Sequence, residues 1–242
     1  MSPAGPLPRG SHRSAQHEGT LMKSSIAFFD LDHTLLDGDS DVLWCDFLIA
    51  RGILDHGAFA ARNADIAAAY KAGQVDPVAF ANFYVSTLAG RSRAQWEPVR
   101  QDFMHSEIAP RIPQVSLDRV RSHQDQGHTV VLTTATNRFI TELTAIHLGL
   151  EHLIATEPEV VDDVFTGQTV GVLNMRAGKV TRLHAWLAAR GQTLAQLHSF
   201  AYSDSINDLP LLETVDTPAA VNADPKLAAL AHARGWKTLQ LP

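Results

Sequence analysis

The sequence predicts an α/β fold in which a doubly wound parallel sheet carries a helical insert. Short apolar runs alternate with amphipathic helical stretches over most of the chain, which is typical of parallel βαβ units. Residues 39–112 break this alternation because they hold helical patterns alone. With 242 residues, of which 45% are hydrophobic, the chain is long enough to bury the core of such a fold.

Five short apolar runs are the predicted strands, and three of them lead into clusters of polar residues. Such runs are typical of strands that are buried on both faces of a parallel sheet. An antiparallel hairpin is also predicted at residues 158–174, where valines flank Gly167. The five runs are 26–29, 129–132, 153–156, 199–202 and 218–221.

Helical patterns connect these strands, and glycine ends two of them. Gly149 follows the pattern at 137–147 and Gly191 follows the one at 179–190, positions where glycine adopts the left-handed conformation that ends a helix. Another helix is predicted at 116–126. The insert holds four more helical patterns, at 42–50, 58–71, 77–88 and 93–105.

The predicted organisation is a core domain that is interrupted by a cap domain. Residues 22–38 and 113–242 form the predicted core, and the all-helical segment 39–112 is expected to lie over the sheet as the cap. Residues 1–21 are rich in proline and glycine and are predicted to be a disordered leader. Whether this leader is native is left open, since Met22 could equally begin the chain.

Composition and charge exclude several classes of partner. The formal net charge is −6 and basic residues form no run, which argues against a nucleic-acid partner. No apolar stretch approaches the ~18 residues of a membrane span, so no membrane partner is expected. The single cysteine, Cys45, excludes an intrachain disulfide and a multi-cysteine zinc site. A cytoplasmic location is therefore expected, for a monomer or a homodimer.

Polar and ionisable residues follow three of the predicted strands. In open α/β sheets, ligands bind at the carboxyl ends of the strands, so these segments are expected to converge on one pocket. Asp30 and Asp32 follow the first strand, and two adjacent carboxylates repel each other without a cation. Mg²⁺ accepts such oxygen ligands. One carboxylate could then attack phosphorus, and the other could exchange protons with the leaving oxygen and water.

The first segment has two other possible interpretations. A solvated acidic turn would carry the same residues. A calcium-binding loop that starts at Asp37 fails, because its sixth and twelfth positions hold Val42 and Leu48 where glycine and glutamate are required.

The second and third segments offer groups that bind anions. Thr134 and the N–H of Ala135 lie between a strand and a helix, where phosphate oxygens can bind. Thr133 and Thr136 fit by residue type as well, and an ordinary helix N-cap is the better explanation of this segment when it is taken alone. Lys179 lies at a predicted helix start, where a lysine is unfavourable unless an anion is near. A solvated surface lysine is the alternative.

The fourth segment, SDSIND at 203–208, completes a resemblance to a known family. It is similar to the GDxxxD motif of the haloacid dehalogenase-like (HAD) phosphatases, with Ser203 where glycine is usual. The run DLDHT at 30–34 matches their DxDxT signature, and Thr134 and Lys179 match the two motifs between. The resemblance covers about residues 25–225. It implies a Rossmann-like core with a C1-type cap, as in subfamily IB, the phosphoserine phosphatase-like branch.

The resemblance also implies a role for each acidic residue of the motifs. Asp30 is expected to be the nucleophile that forms an aspartyl-phosphate, and Asp32 the general acid and then base. Mg²⁺ is expected on the Asp30 side chain, the Asp32 backbone carbonyl and Asp204, with Asp208 supporting that shell. Thr134, Ala135 and Lys179 are expected to hold phosphate oxygens.

A small phosphomonoester that bears an amine is the expected substrate. Asp39 lies where related phosphoserine phosphatases carry an acidic residue for the substrate amine, and Asn207 is a second substrate candidate. Asp39 could instead only cap the following helix. Phosphoserine, histidinol phosphate and phosphoethanolamine all fit. Candidates for binding a substrate carboxylate are Arg51, Arg62, Arg91 and Arg93.

Two other functions share these residues. A phosphotransferase or phosphomutase would use the same aspartyl-phosphate and pass the phosphoryl group to a sugar. A non-catalytic metal- or phosphate-binding module would need the fold alone, and intact Asp30, Asp32, Lys179 and Asp204 argue against it.

Overall fold

The computed structural model describes residues 23–71 and 76–240. The predicted leader therefore lies outside the described residues. Seven strands form one sheet in the order β4-β3-β2-β1-β5-β6-β7. Their bounds are β1 Ser25–Phe29, β2 Thr129–Asn137, β3 His152–Val161, β4 Val164–Val170, β5 His198–Ser203, β6 Thr217–Val221 and β7 Lys237–Leu239.

Strand β1 lies at the centre of the sheet and pairs in parallel with β2 and β5. Phe29 is opposite Leu132 on one side and Tyr202 on the other. Among the named strands of the described residues, β3 and β4 pair antiparallel, whereas β2–β3, β5–β6 and β6–β7 are parallel. The predicted parallel sheet and hairpin are confirmed, and β7 was missed because three residues are too short to show a pattern.

Helices cover the sheet and also form the insert between β1 and β2. Two of the core helices, α8 and α9, were not predicted; both are short and carry a proline in their first turn. The insert helices are α1 Ser40–Ala50, α2 His56–Lys71, α3 Pro77–Val85 and α4 Arg93–Phe103, and the core helices are α5 Gln114–Gln124, α6 Arg138–His147, α7 Ala177–Ala188, α8 Leu209–Thr214 and α9 Pro225–Arg234. In these two described stretches, no helix combines the length and the apolar character that crossing a bilayer requires.

Residues of β1 alternate between two hydrophobic cores, one on each face of the sheet. Ala27 and Phe29 belong to the core that the sheet shares with the insert. Ile26 and Phe28 belong to the opposite core, which includes Leu183 of α7. Successive side chains of a strand point to opposite faces, and each buried Phe or Ile stabilises the fold by about 1.5–3 kcal/mol. The run 26–29 is therefore apolar throughout.

An aromatic cluster joins the insert helices to each other. The Trp44 ring centroid lies 5.5 Å from that of Trp96 and 5.1 Å from that of Phe103. The Trp96 indole N–H donates to the Leu88 carbonyl at 2.9 Å, so its polar edge is satisfied inside the core. The designation of 39–112 as a separate cap domain stays a prediction.

The β3–β4 hairpin binds the insert at α3. The Asn82 side chain donates to Gln168 Oε1 at 2.7 Å and accepts from the Thr169 N–H at 2.8 Å. Gly167 has a φ of +84°, and a Cβ at this position would lie 2.9 Å from the Cβ of Ala89. Glycine is therefore required here both by backbone conformation and by close approach.

Candidate active site

The candidate site lies at the carboxyl ends of β1, β2 and β5, where the insert covers the sheet. Asp30 directly follows β1, and its N–H donates to the Tyr202 carbonyl at 3.0 Å. The chain then turns sharply, since the Leu31 carbonyl accepts from the N–H groups of Thr34 and Leu36. This turn places Asp30 and Asp32 on the same cavity.

Thr34 joins the first and fourth motifs. Its hydroxyl lies 3.3 Å from Asp30 Oδ2 and 3.5 Å from Asp204 Oδ1, and it accepts from the Asp204 N–H at 3.0 Å. Two segments that are 170 residues apart in sequence are thus held together by one buried side chain. This contact accounts for the threonine of the DxDxT signature.

Lys179 is buried and pairs with two carboxylates. Its Nζ lies 2.7 Å from Asp30 Oδ1 and 2.6 Å from Asp208 Oδ2. Burial would lower the pKa of Lys179, but Asp208 and Asp30 outweigh burial and raise it, so the lysine is charged. Ser203 donates to Asp208 Oδ2 at 2.8 Å, which explains why a small hydroxyl residue is tolerated at 203. The alternative of a solvated surface lysine is wrong.

Burial and mutual repulsion raise the pKa values of the acidic residues. Burial is the main cause for Asp30, whose pKa is about 6 although Lys179 lowers it. Burial, with Asp30 and Asp208, raises the pKa of Asp204 to about 8. The pKa of Asp32 is also raised to about 8, by burial and then by Asp39 and Asp30. Carboxyl groups in this condition are ready ligands for a cation, which would favour their charged form.

The oxygen donors at Asp30 and Asp204 fit a hard divalent cation. Both carboxylates approach the Thr34 hydroxyl, so they face one place. Within the part of the chain that the structure describes, no three acidic, histidine or cysteine side chains form a metal cluster. A cation here would therefore complete its coordination with backbone and water oxygens, as Mg²⁺ commonly does.

Both oxygens of Asp32 are held by residues that the sequence interpretation did not select. The Ser40 N–H donates to Oδ1 at 2.8 Å, and the Thr136 hydroxyl lies 3.1 Å from Oδ2. Ser40 is the first residue of α1, so the insert contributes directly to the general-acid candidate. No motif indicated Ser40, and Thr136 was named only as an alternative phosphate-binding threonine.

The threonines of the second motif point in different directions. Thr134 is fully buried, and its hydroxyl accepts from the Thr136 N–H at 3.2 Å. The Thr133 hydroxyl accepts from the Asn174 amide at 3.0 Å. Of residues 133–136, it is Ala135 that lines the cavity that Asp30 and Asp32 share. The phosphate-binding roles of Thr134 and Ala135 stay predictions.

A cavity of about 440 Å³ brings the core residues and the insert together. This volume suits a small metabolite. Its floor is acidic and carries Lys179, whereas its insert wall is mainly aromatic and apolar. A separate cavity of about 300 Å³ beyond Asp204 includes neither Asp30 nor Lys179. The main cavity is lined from the core by Asp30, Asp32, Lys179, Asp204, Asn207 and Asp208, and from the insert by Asp39, Asn63, Ile66, Phe80 and Tyr84.

The two substrate candidates both reach this cavity. Asp39 also caps α1, because its Oδ1 accepts from the Val42 N–H at 3.0 Å. Capping and ligand binding are therefore compatible at Asp39. The roles of Asp39 and Asn207 stay predictions.

The four arginines proposed for a substrate carboxylate are engaged elsewhere. Arg51 pairs with Asp102 at 2.6 Å and Arg93 with Glu142 at 3.0 Å. Arg62 lies over the Phe83 ring and Arg91 over the Trp96 ring. None of the four is among the described residues that line the cavity, whereas Arg176 is. Arg176 has a φ of +50°, and no sequence signal distinguished it.

Comparison with known proteins identifies one family across most of the chain. The family model for haloacid dehalogenase-like hydrolases matches residues 27–213. A histidinol-phosphatase of Neisseria meningitidis serogroup C is 37% identical over 217 residues, which cover 89% of this chain and 98% of that protein. The phosphoserine phosphatase SerB1 of Mycobacterium tuberculosis is 32% identical over 88% of this chain and 70% of its own length.

Solved structures agree on the fold. A protein of unknown function from Bordetella pertussis Tohama I has a TM-score of 0.86 and 41% identity, over 90% of this chain and 99% of its own. A phospho-aspartyl intermediate analogue of phosphoserine phosphatase has a TM-score of 0.62 and 17% identity, over 90% of this chain and 93% of its own. At that identity the second likeness shows the fold alone.

Proposed function

The chain belongs to the haloacid dehalogenase-like hydrolase family, and on that premise we propose that it is a Mg²⁺-dependent phosphomonoesterase with Asp30 as its nucleophile. The resemblance inferred from the four motifs and the prediction of a hydrolase with phosphatase relatives are confirmed. What we propose beyond this is the metal, the covalent intermediate and the substrate class.

One observation supports the chemistry above all others: the paired environment of the Asp30 carboxylate. Lys179 binds Oδ1 at 2.7 Å, while Oδ2 faces the Thr34 hydroxyl on the side of Asp204. Lys179 therefore keeps Asp30 ionised, as a nucleophile must be. The same positive charge lies where an incoming phosphoryl group needs neutralisation.

The roles of the other residues follow from their positions. Asp30 attacks phosphorus to form an aspartyl-phosphate, and Asp32 gives a proton to the leaving oxygen and then takes one from the attacking water. The side chains of Asp30 and Asp204 and the carbonyl of Asp32 would hold Mg²⁺, which supplies charge neutralisation when bound. Asp208 orients Lys179 by accepting from it at 2.6 Å.

An amine-bearing alkyl phosphate is the substrate class that the cavity supports, with histidinol phosphate favoured over phosphoserine. Asp39 gives the insert wall a negative charge beside Phe80 and Tyr84, which suits a substrate that carries both an ammonium group and a flat ring. None of the four arginine candidates for a carboxylate lines the cavity, and the arginine that does, Arg176, is available to a phosphate as well as to a carboxylate. A relative with 37% identity is named histidinol-phosphatase.

The deciding experiment measures release of free phosphate from histidinol phosphate, phosphoserine and para-nitrophenyl phosphate, with Mg²⁺ and with a chelator. We expect Mg²⁺-dependent release, with the highest kcat/KM for histidinol phosphate. Asp30→Asn should lose activity by at least about 10³-fold, while Asp46→Asn, an exposed change in α1, should retain it. Phosphate release by Asp30→Asn at the parent rate would refute the mechanism, and transfer to a sugar without free phosphate would indicate a phosphotransferase.

A further inference from the structure

Asp41, in the first turn of α1, carries a carboxyl group that the proposed function does not use. Its Oδ2 lies 3.1 Å from the hydroxyl oxygen of Thr136. Burial, then Asp39 and Asp32, raise its pKa. One oxygen of this carboxyl group, Oδ1, is buried without a hydrogen-bond partner among the described residues, and burying a carboxyl oxygen in this way costs stability.

The Thr136 hydroxyl contacts both Asp41 and Asp32. It lies 3.1 Å from Asp32 Oδ2 and 3.1 Å from Asp41 Oδ2, and it accepts from the Ser40 hydroxyl at 3.0 Å. A threonine hydroxyl has one hydrogen and two lone pairs. Thr136 therefore donates to only one of the two carboxyl groups, accepts from Ser40, and accepts from the other carboxyl group when that group carries a proton. The orientation of Thr136 is consequently fixed by Asp41 and Ser40 together.

Asp41 also borders a small cavity next to Asn137. Asp41 Oδ1 and the Asn137 side-chain nitrogen are both buried, and neither has a hydrogen-bond partner among the described residues. Both residues line a cavity of about 20 Å³ that also borders Ala135. One water molecule fits this volume and would bridge the acceptor and the donor.

We propose that Asp41 is a positioning residue for the general acid. Its carboxyl group holds the Thr136 hydroxyl, and Thr136 with the Ser40 N–H holds both oxygens of Asp32 in the orientation from which a proton reaches the leaving oxygen. Proton transfer needs a heavy-atom distance of about 2.6–3.2 Å. The inference rests on the proposed function, because it takes Asp32 as the acid.

Leaving-group dependence separates this role from a merely structural one. An alkyl phosphate such as histidinol phosphate needs a proton on its leaving oxygen, whereas para-nitrophenolate leaves with little help. Asp41→Asn should lower kcat/KM, which reports the step that expels the leaving group, by about 10- to 100-fold on the alkyl ester. On para-nitrophenyl phosphate, kcat/KM should fall by less than about threefold. An equal loss on the two esters overturns the proposal.

A double-mutant cycle tests whether Asp41 acts through Thr136. Thr136→Val keeps the shape of the side chain and removes the hydroxyl, so it should give the same ester-selective loss. Combining it with Asp41→Asn should add little, because residues that act as one unit are not additive. Losses that multiply overturn the proposal. Thr136→Val carries the test alone if Asp41→Asn does not fold, and Asp46→Asn is the matched control in the same helix.

Asp32→Asn separates a failure of the general-acid step from a failure of the positioning role of Asp41. It should show the largest loss on the alkyl ester and a smaller one on para-nitrophenyl phosphate. If Asp32→Asn shows no such selectivity, the general-acid step of the proposed function is wrong. If Asp32→Asn shows it and both Asp41→Asn and Thr136→Val do not, the mechanism stands and the positioning role of Asp41 is refuted.

Discussion

Asp30 and Lys179 form an ion pair in which both side chains are almost completely buried, with Nζ at 2.7 Å from Oδ1. The lysine comes from α7, 149 residues after the aspartate, and it also reaches Asp208 at 2.6 Å. Two negative groups and one positive group thus share a largely buried site at the bottom of the cavity. The pairing supports stability and chemistry together.

Removing the Lys179 side chain should therefore lower both the stability and the activity of the protein. Lys179→Met leaves Asp30 and Asp208 facing each other without a counter-charge, and breaking a buried pair costs about 3–5 kcal/mol. Urea denaturation should show this loss in the free energy of unfolding. Adding Asp208→Asn to the variant should recover part of the stability, while phosphatase activity stays lost. A Lys179→Met protein as stable as the parent would contradict the buried-pair interpretation.

Stability without a cation should fall as the pH rises. The carboxyl groups of Asp32 and Asp204 have a pKa of about 8 in the folded protein against 3.8 when unperturbed. A group whose pKa is raised by folding stabilises the fold while it is protonated, and this contribution is lost between about pH 4 and pH 8. Mg²⁺ binding favours the charged form, so Mg²⁺ should raise Tm more at pH 8 than at pH 6.

Thermal melting at the two pH values, with and without Mg²⁺, measures this difference. Asp204→Asn should abolish most of the Mg²⁺-dependent rise in Tm. A rise that is larger at pH 6 than at pH 8, or that survives Asp204→Asn, would count against the site.

Asp39→Asn should separate the two roles of Asp39. Asparagine caps helices about as well as aspartate, so α1 should keep its start and Tm should change little. The lost negative charge should raise KM for histidinol phosphate by about 10-fold, of the order of one charge-assisted contact, and leave KM for para-nitrophenyl phosphate unchanged. Asp76→Asn is the matched control, because Asp76 caps α3 through the Val78 N–H at 3.0 Å and is exposed. Unchanged KM values for both esters would show that Asp39 only caps the helix.

Gly167→Ala should loosen the contact between hairpin and insert. The added Cβ would lie 2.9 Å from the Ala89 Cβ, in a backbone conformation with φ of +84°, and overpacking costs about 1–3 kcal/mol. Gly171→Ala has a similar φ of +74° but meets nothing within 4 Å, so it measures the cost of backbone conformation alone. Urea denaturation should show the larger loss for Gly167→Ala. Equal losses would mean that the close approach carries no energy.

The sequence located the catalytic candidates well because the carboxyl ends of parallel strands converge. Asp30, Asp32, Lys179, Asp204 and Asp208 all border the main cavity. The strand-alternation rule failed within β2, since the register between β2 and β3 shifts between Thr134 and Asn137. A shifted register changes which side chains face the site, so the sequence could not choose among the threonines.

Contacts between segments that lie far apart in the sequence could not be predicted for a different reason. Asp41 and Thr136 are 95 residues apart, and only the packing of α1 on the end of β2 brings them together. Arg176 lines the cavity and has an unusual φ of +50°, and no residue pattern announces either feature. The substrate wall depends on such packing more than the catalytic centre does.

Because β1 lies at the centre of the sheet, the site that follows this strand is protected, whereas the insert is freer to vary. Edge strands and outer loops open first in folded proteins, whereas central strands open last. The Asp30 carboxylate, the proposed nucleophile, should therefore keep its geometry through fluctuations that would disturb a peripheral site. Under the proposed function, insert residues away from Ser40 and Asp41, such as Phe80 and Tyr84, face the organic part of the ester. Replacements there could change specificity at small risk to turnover.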